Sequence, residues 1–88
     1  MDTKEFGFIT FKSTHHAIKG DNIFNRENIG YNIMPTPREL SHSCGMAIRF
    51  NLEDMKMVRD IISKNKLEIE NIFKYTKTNK GNIVVRIS

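Results

Sequence analysis

The sequence predicts an α+β fold: a ferredoxin-like βαββαβ two-layer sandwich with an added C-terminal hairpin strand. Three observations predict it. Hydrophobic periods of two and of 3.6 residues alternate along the chain in the order strand, helix, strand, strand, helix, strand. The 88 residues, 39% hydrophobic and 27% charged, have an ordinary globular composition and support one core, two layers thick. Asn79-Lys80-Gly81 is a turn signal followed by a short apolar run, which adds a fifth strand. Residues 1–76 are expected to be a single domain, and 77–88 a basic hairpin strand packed on it or extending it.

Residues 6–11 alternate aromatic with small or β-branched side chains and predict the first strand. Ser13 or Thr14 can cap a helix whose stripe is Ala17, Gly20, Ile23 and Phe24, ending before Gly30. Glycine in mid-helix costs about 1 kcal/mol relative to alanine, so Gly20 is expected to let the helix lie close on the sheet. Residues 31–34 predict a short strand stopped by Pro35 and Pro37. Met46, Ile48 and Phe50 alternate with Ala47 and Arg49 as a third strand with its apolar side inward. Asn51 is expected to cap a second helix, with Glu53 and Asp54 at its start, Lys64 and Lys66 at its end, and Met55, Val58, Ile61 and Ile62 on one face. Residues 67–75 predict a fourth strand with an irregularity near Asn71, and 83–87 the fifth.

The chain carries 14 Lys plus Arg against 10 Asp plus Glu, a net charge of +4. No acidic residue follows Glu70, and Lys74, Lys77, Lys80 and Arg86 account for the whole excess. A lysine-rich hairpin edge that resists sheet-to-sheet association explains those cations without a nucleic acid. Gly45-Met46-Ala47-Ile48-Arg49-Phe50 loosely echoes the third strand of RNA-recognition domains. With Met46 and Ile48 taken as the stacking positions, the aromatic residues are missing, so a nucleic-acid partner is disfavoured. No apolar run is long enough to span a membrane, and the start of the chain lacks the basic and apolar segments of a secretory signal, so a cytoplasmic protein with no membrane partner is expected.

The single cysteine, Cys44, excludes an intrachain disulfide or a Cys-x-x-Cys redox pair. It lies in the long connection Pro35-Thr36-Pro37-Arg38-Glu39-Leu40-Ser41-His42-Ser43-Cys44-Gly45, where two antiparallel strands need only a few linking residues, and such excess length is often functional. In the predicted topology the first and third strands are antiparallel neighbours, so Cys44 at the start of one meets Thr14, His15 and His16 at the end of the other. A cysteine reacts as the thiolate, which cations and helix N-termini favour. The first helix, His15, His16, Arg38 and His42 supply both, and Gly45 would permit a tight turn or close approach of another molecule to the sulfur. An inert, buried Cys44 and a polar histidine pair at the helix start, one exposed and one packing against the loop, are the alternatives. A metal site of His15, His16, His42 and Cys44 is a further one, although adjacent helical histidines diverge by about 100 degrees, and a non-enzymatic small-ligand or protein-interaction domain of this fold is another. No resident cofactor is expected.

Ser13-Thr14-His15-His16-Ala17, Met34-Pro35-Thr36-Pro37-Arg38-Glu39-Leu40-Ser41, Ser43-Cys44-Gly45 and Ala47-Ile48-Arg49-Phe50 together resemble the signature of the Se/S carrier protein-like family. The resemblance covers roughly residues 8–75, with His42 where a small residue is expected. It implies a cytoplasmic protein that holds sulfur or selenium on Cys44 as a persulfide or selenopersulfide, and whose activity is at most sulfurtransferase-like. The implied partners are a donor such as a cysteine desulfurase and an acceptor protein; homodimerisation through the edge strand is left open. In that chemistry His15 or His16 would move a proton, Arg38 and the helix N-terminus would hold the anion, and Ser43 would donate a hydrogen bond to it. Thr14, Pro37 and Gly45 would shape the loop.

Overall fold

The computed structural model describes residues 4–38 and 45–87. Five strands, β1 (Lys4–Thr10), β2 (Tyr31–Pro35), β3 (Met46–Asn51), β4 (Asn71–Thr78) and β5 (Gly81–Arg86), and two helices, α1 (Thr14–Arg26) and α2 (Met55–Lys64), build an α+β fold. The sheet runs β2-β3-β1-β4-β5 with every pairing antiparallel. β1 and β3 are central neighbours in the register Phe6↔Asn51 to Thr10↔Ala47, so the start of β3 meets the end of β1.

Strand parity separates two apolar layers. Ile9, Ile48, Phe50 and Ile72 face the helices and join Ala17, Ile23 and Phe24 of α1 and Val58 and Ile61 of α2 in the main core. The other face carries a smaller cluster of Phe8, Ala47 and Phe73, with Phe6, Met34, Tyr75 and Val84 packed beside it. Met46 packs with the helix-side core and Ile48 is fully buried in it. Taking these two as exposed stacking positions was therefore one residue out of register: on β3 the helix-free face belongs to Ala47 and Arg49.

Ser13 caps α1 with extended backbone angles, and the buried side of the helix is Ala17, Gly20, Ile23 and Phe24, the predicted stripe. At Gly20 the helix lies close on the sheet: a Cβ there would lie 2.8 Å from the Phe11 ring and 3.4 Å from Ile48. Beyond the last residue of α1, Arg26, Asn28 adopts φ 58 ahead of Gly30. Tyr31 of β2 reaches back to donate a hydrogen bond to the Asp21 carboxylate at 2.5 Å. Burial, reinforced by that carboxylate, pushes its phenol from 10.0 up to about 12.

Three expectations are corrected. Asn51 makes no side-chain cap; Leu52–Asp54 form a 3-10 turn, so Glu53 and Asp54 precede α2. Residues 67–70 are not strand. Lys66 adopts φ 51 and Leu67 drops into the main core from a loop, leaving β4 to start at Asn71, with Glu70 N donating to Thr10 O at 2.7 Å. Buried anchoring of Leu67 here overrides the local alternation. β5 begins at Gly81, whose φ of 132 suits the residue closing the Asn79-Lys80 turn, and pairs with β4 through Arg86.

Candidate functional site

The described part of the site lies where β1 gives way to α1. Ser13 is placed by the turn out of β1, and its hydroxyl accepts a hydrogen bond from the His16 backbone N at 3.4 Å. The same Oγ is 2.8 Å from His16 Nδ1, while His16 Nε2 is 2.9 Å from Glu68 Oε2. With Glu68 ionised, Nε2 carries the proton donated to it. Neutral His16 then accepts the Ser13 hydroxyl hydrogen at Nδ1, and protonated His16 donates back to Oγ. Both contacts persist in either protonation state because the hydroxyl can reverse its role. His16 is thus oriented with Nδ1 toward Ser13 and Nε2 toward Glu68.

Glu68 reaches this helix because of the loop that replaces the predicted start of the fourth strand. Leu67 N bonds Ile62 O at 3.0 Å, and the Glu70 to Thr10 bond ties the far end of the loop to β1. His15 is exposed, its ring 5.9 Å from that of His16 and nearly perpendicular. Thr14, the first residue of α1, is exposed as well. The first turn of α1 contains no acidic residue of its own, and the Glu68 carboxylate stands against it at His16.

The long connection is closed at its base. β2 and β3 pair to Pro35↔Met46, and Thr36 N then donates to Gly45 O at 3.0 Å. Gly45 is exposed, with no described atom within 4 Å of where a Cβ would be. Thr36 Oγ1 is buried without a hydrogen-bond partner among the described residues. Pro37 is half-buried over the helix-free face and Arg38 is exposed at a turn. The predicted residues thus divide between two sides of the sheet, the histidines with α1 and Pro37 opposite. Cys44, Ser43 and His42 lie outside the described residues.

Of the four ligands in the metal alternative, His42 and Cys44 are outside the described residues, and both ring nitrogens of His16 are already engaged. Among the described residues no group of three or more His, Cys, Asp or Glu could hold a metal ion. Sequence reasoning did not single out Glu68. Only the three-residue spacing of Ser13 and His16 hinted at their contact.

A family model described as "Putative Se/S carrier protein-like" matches residues 6–74. The chain belongs to the Se/S carrier protein-like family. The span shared with this Se/S carrier-like family runs from β1 into β4, includes Ser13, His15, His16, Cys44 and Glu68, and leaves out β5. No match was found among curated proteins or among solved structures. No described helix is long and apolar enough to cross a membrane.

Proposed function

We propose that the protein is a sulfur or selenium carrier that holds its cargo on Cys44. The observation that carries this reading is the register Thr10↔Ala47, which sets the start of β3, two residues after Cys44 in the chain, beside the end of β1, just beyond which Ser13 and His16 open α1. Family membership supplies the cargo class.

The Cys44 thiolate attacks the outer sulfur of a donor persulfide. A new S–S bond forms on Cys44, the donor S–S bond breaks, and the donor leaves as its thiolate. An acceptor nucleophile then attacks the outer sulfur, and Cys44 thiolate departs. No external oxidant or reductant enters either step. In this reading His16 or His15 moves the proton, and Arg38, Thr14, Pro37 and Ser43 serve as loop and helix-start residues. The activity is at most sulfurtransferase-like, with a cysteine desulfurase-type donor and a protein acceptor. A lone thiol without a resolving partner suits a carrier in the reducing cytoplasm.

Read from β4, the sheet order is β4-β1-β3-β2 with β5 outside β4, which supports a ferredoxin-like arrangement with residues 77–88 extending one domain. Alkylation of Cys44 as a function of pH tests the site. Half-maximal reactivity well below the ordinary thiol value of about 8.5 supports the reading. A midpoint at or above that value, unchanged in Ser13→Ala and His16→Gln, would remove it.

A further inference from the structure

The helix-free face of the sheet has a composition that the order of residues along the chain conceals. The strand positions facing that side include Phe6 and Phe8 of β1, Arg49 of β3, Phe73, Tyr75 and Lys77 of β4, and Arg86 of β5, with Lys4 at the edge. Four aromatic rings are accompanied by four cations, and none of the strand positions on this side is Asp or Glu. The net neutrality of the chain up to Glu70 therefore does not hold face by face. Phe8 and Phe73 form a floor, 4% and 8% exposed, while Phe6 and Tyr75 stay half-exposed above it. Tyr75 meets Phe8 edge to face at 5.3 Å between centroids. The Arg49 guanidinium stands 4.6 Å from the centre of the Phe6 ring, so this ring already receives a planar cationic group.

A cavity of about 260 Å³ opens among these side chains, bounded by Phe6, Tyr75, Arg49 and Lys77 and walled by Pro35 and Pro37. It is smaller than the roughly 300–1,000 Å³ of sites for drug-sized ligands, which favours one flat ring over a bulky compact ligand. Bases stack on aromatic faces and on guanidinium planes, and nearby cations take the phosphates. Carboxylate side chains would satisfy the cations but leave the aromatic walls without a stacking partner.

We propose that this face binds single-stranded nucleic acid, with one base in the cavity against Phe6, Arg49 and Tyr75 and the backbone running past Lys77. The platform is separate from the Ser13–His16–Glu68 cluster across the sheet, and its binding does not depend on the chemistry of Cys44. Charge complementarity and exposed rings on the same face select the occupant.

The test is fluorescence anisotropy with labelled oligouridylate and oligothymidylate of about 12 nucleotides, within the roughly 4–16 that single-strand sites cover. Binding should weaken with salt. Removing the phosphate contact of Lys77 with Lys77→Gln should flatten the salt slope by about 0.7. Tyr75→Leu should weaken binding by roughly 5- to 100-fold with the slope retained. Lys56→Gln, on the exposed side of α2, should change neither quantity. Circular dichroism checks folding; if Tyr75→Leu does not fold, the charge variants decide. Failure to bind either strand at about 50 mM salt, a range in which phosphate contacts bind strongly, overturns the proposal. So does displacement by polyglutamate at equal charge concentration, a duplex that binds as well as the single strand, or an equal loss from Lys56→Gln.

Discussion

Gly7→Ala is a one-carbon change whose cost follows from the packing of the central strands. Gly7 pairs with Phe50 across β1 and β3, and the Phe50 ring lies over the space that a side chain at position 7 would fill. An added Cβ would be 2.2, 2.5 and 2.6 Å from three ring atoms, where ordinary contact is 3.4–4 Å. The ring must retreat by more than about 1 Å, yet Phe50 is only 2% exposed and belongs to the main core. Overpacking of this kind costs about 1–3 kcal/mol, and the severity of the overlap argues for the upper end. Replacing glycine in a strand returns about 0.5–1 kcal/mol through the unfolded chain, leaving a net loss of about 2–2.5 kcal/mol. At about 4–8 °C per kcal/mol for a chain of this size, Tm should fall by roughly 10–20 °C. Thermal and urea unfolding followed by circular dichroism measures both quantities. Phe50→Leu in the same background should restore part of the loss, because the two side chains compete for one volume. A Gly7→Ala protein within about 0.5 kcal/mol of the parent, the usual range of a neutral surface change, would refute the packing argument.

Ser13→Ala removes the cap of α1 and the Nδ1 partner of His16 together; urea unfolding should show a loss of about 1 kcal/mol, and an unchanged midpoint would show that neither contact stabilises the fold. For Tyr31, the folded state holds the phenolic proton more tightly than the unfolded chain. Its contribution is therefore intact below pH 10.0, the unfolded value, and lost as pH rises through about 12. Tyr31→Phe should flatten stability against pH across that window, and parallel curves for the two proteins would contradict the assignment.

Much of the helix layer was legible from local pattern alone. Ala17, Gly20, Ile23 and Phe24 recur at helical spacing behind a serine cap, and those are the residues α1 buries. Alternation in the third strand shows two faces, but it does not say which of them matches the stacking face of RNA-recognition domains, and Met46 and Ile48 lie on the core side. Register with β1 decides that question, and register is a tertiary property. The segment 67–70 alternates apolar and polar residues as a strand would, but Leu67 is drawn into the core from a loop, and no neighbouring residue signals it. That same loop brings Glu68 to His16, so the partner holding the imidazole was not visible in the first helix or around Cys44. The cations were counted by segment along the chain; the sheet sorts them by face, placing Arg49 and Lys4 with Lys77 and Arg86.

The central claim is that Cys44 carries the cargo, and intact-mass analysis after reaction with a cysteine desulfurase tests it directly. Incubation with cysteine or selenocysteine should add the mass of one sulfur or one selenium atom. A thiol reductant should remove that mass, and Cys44→Ala should not acquire it. An unmodified wild-type mass under conditions where the desulfurase turns over, or equal loading of Cys44→Ala, would contradict the account.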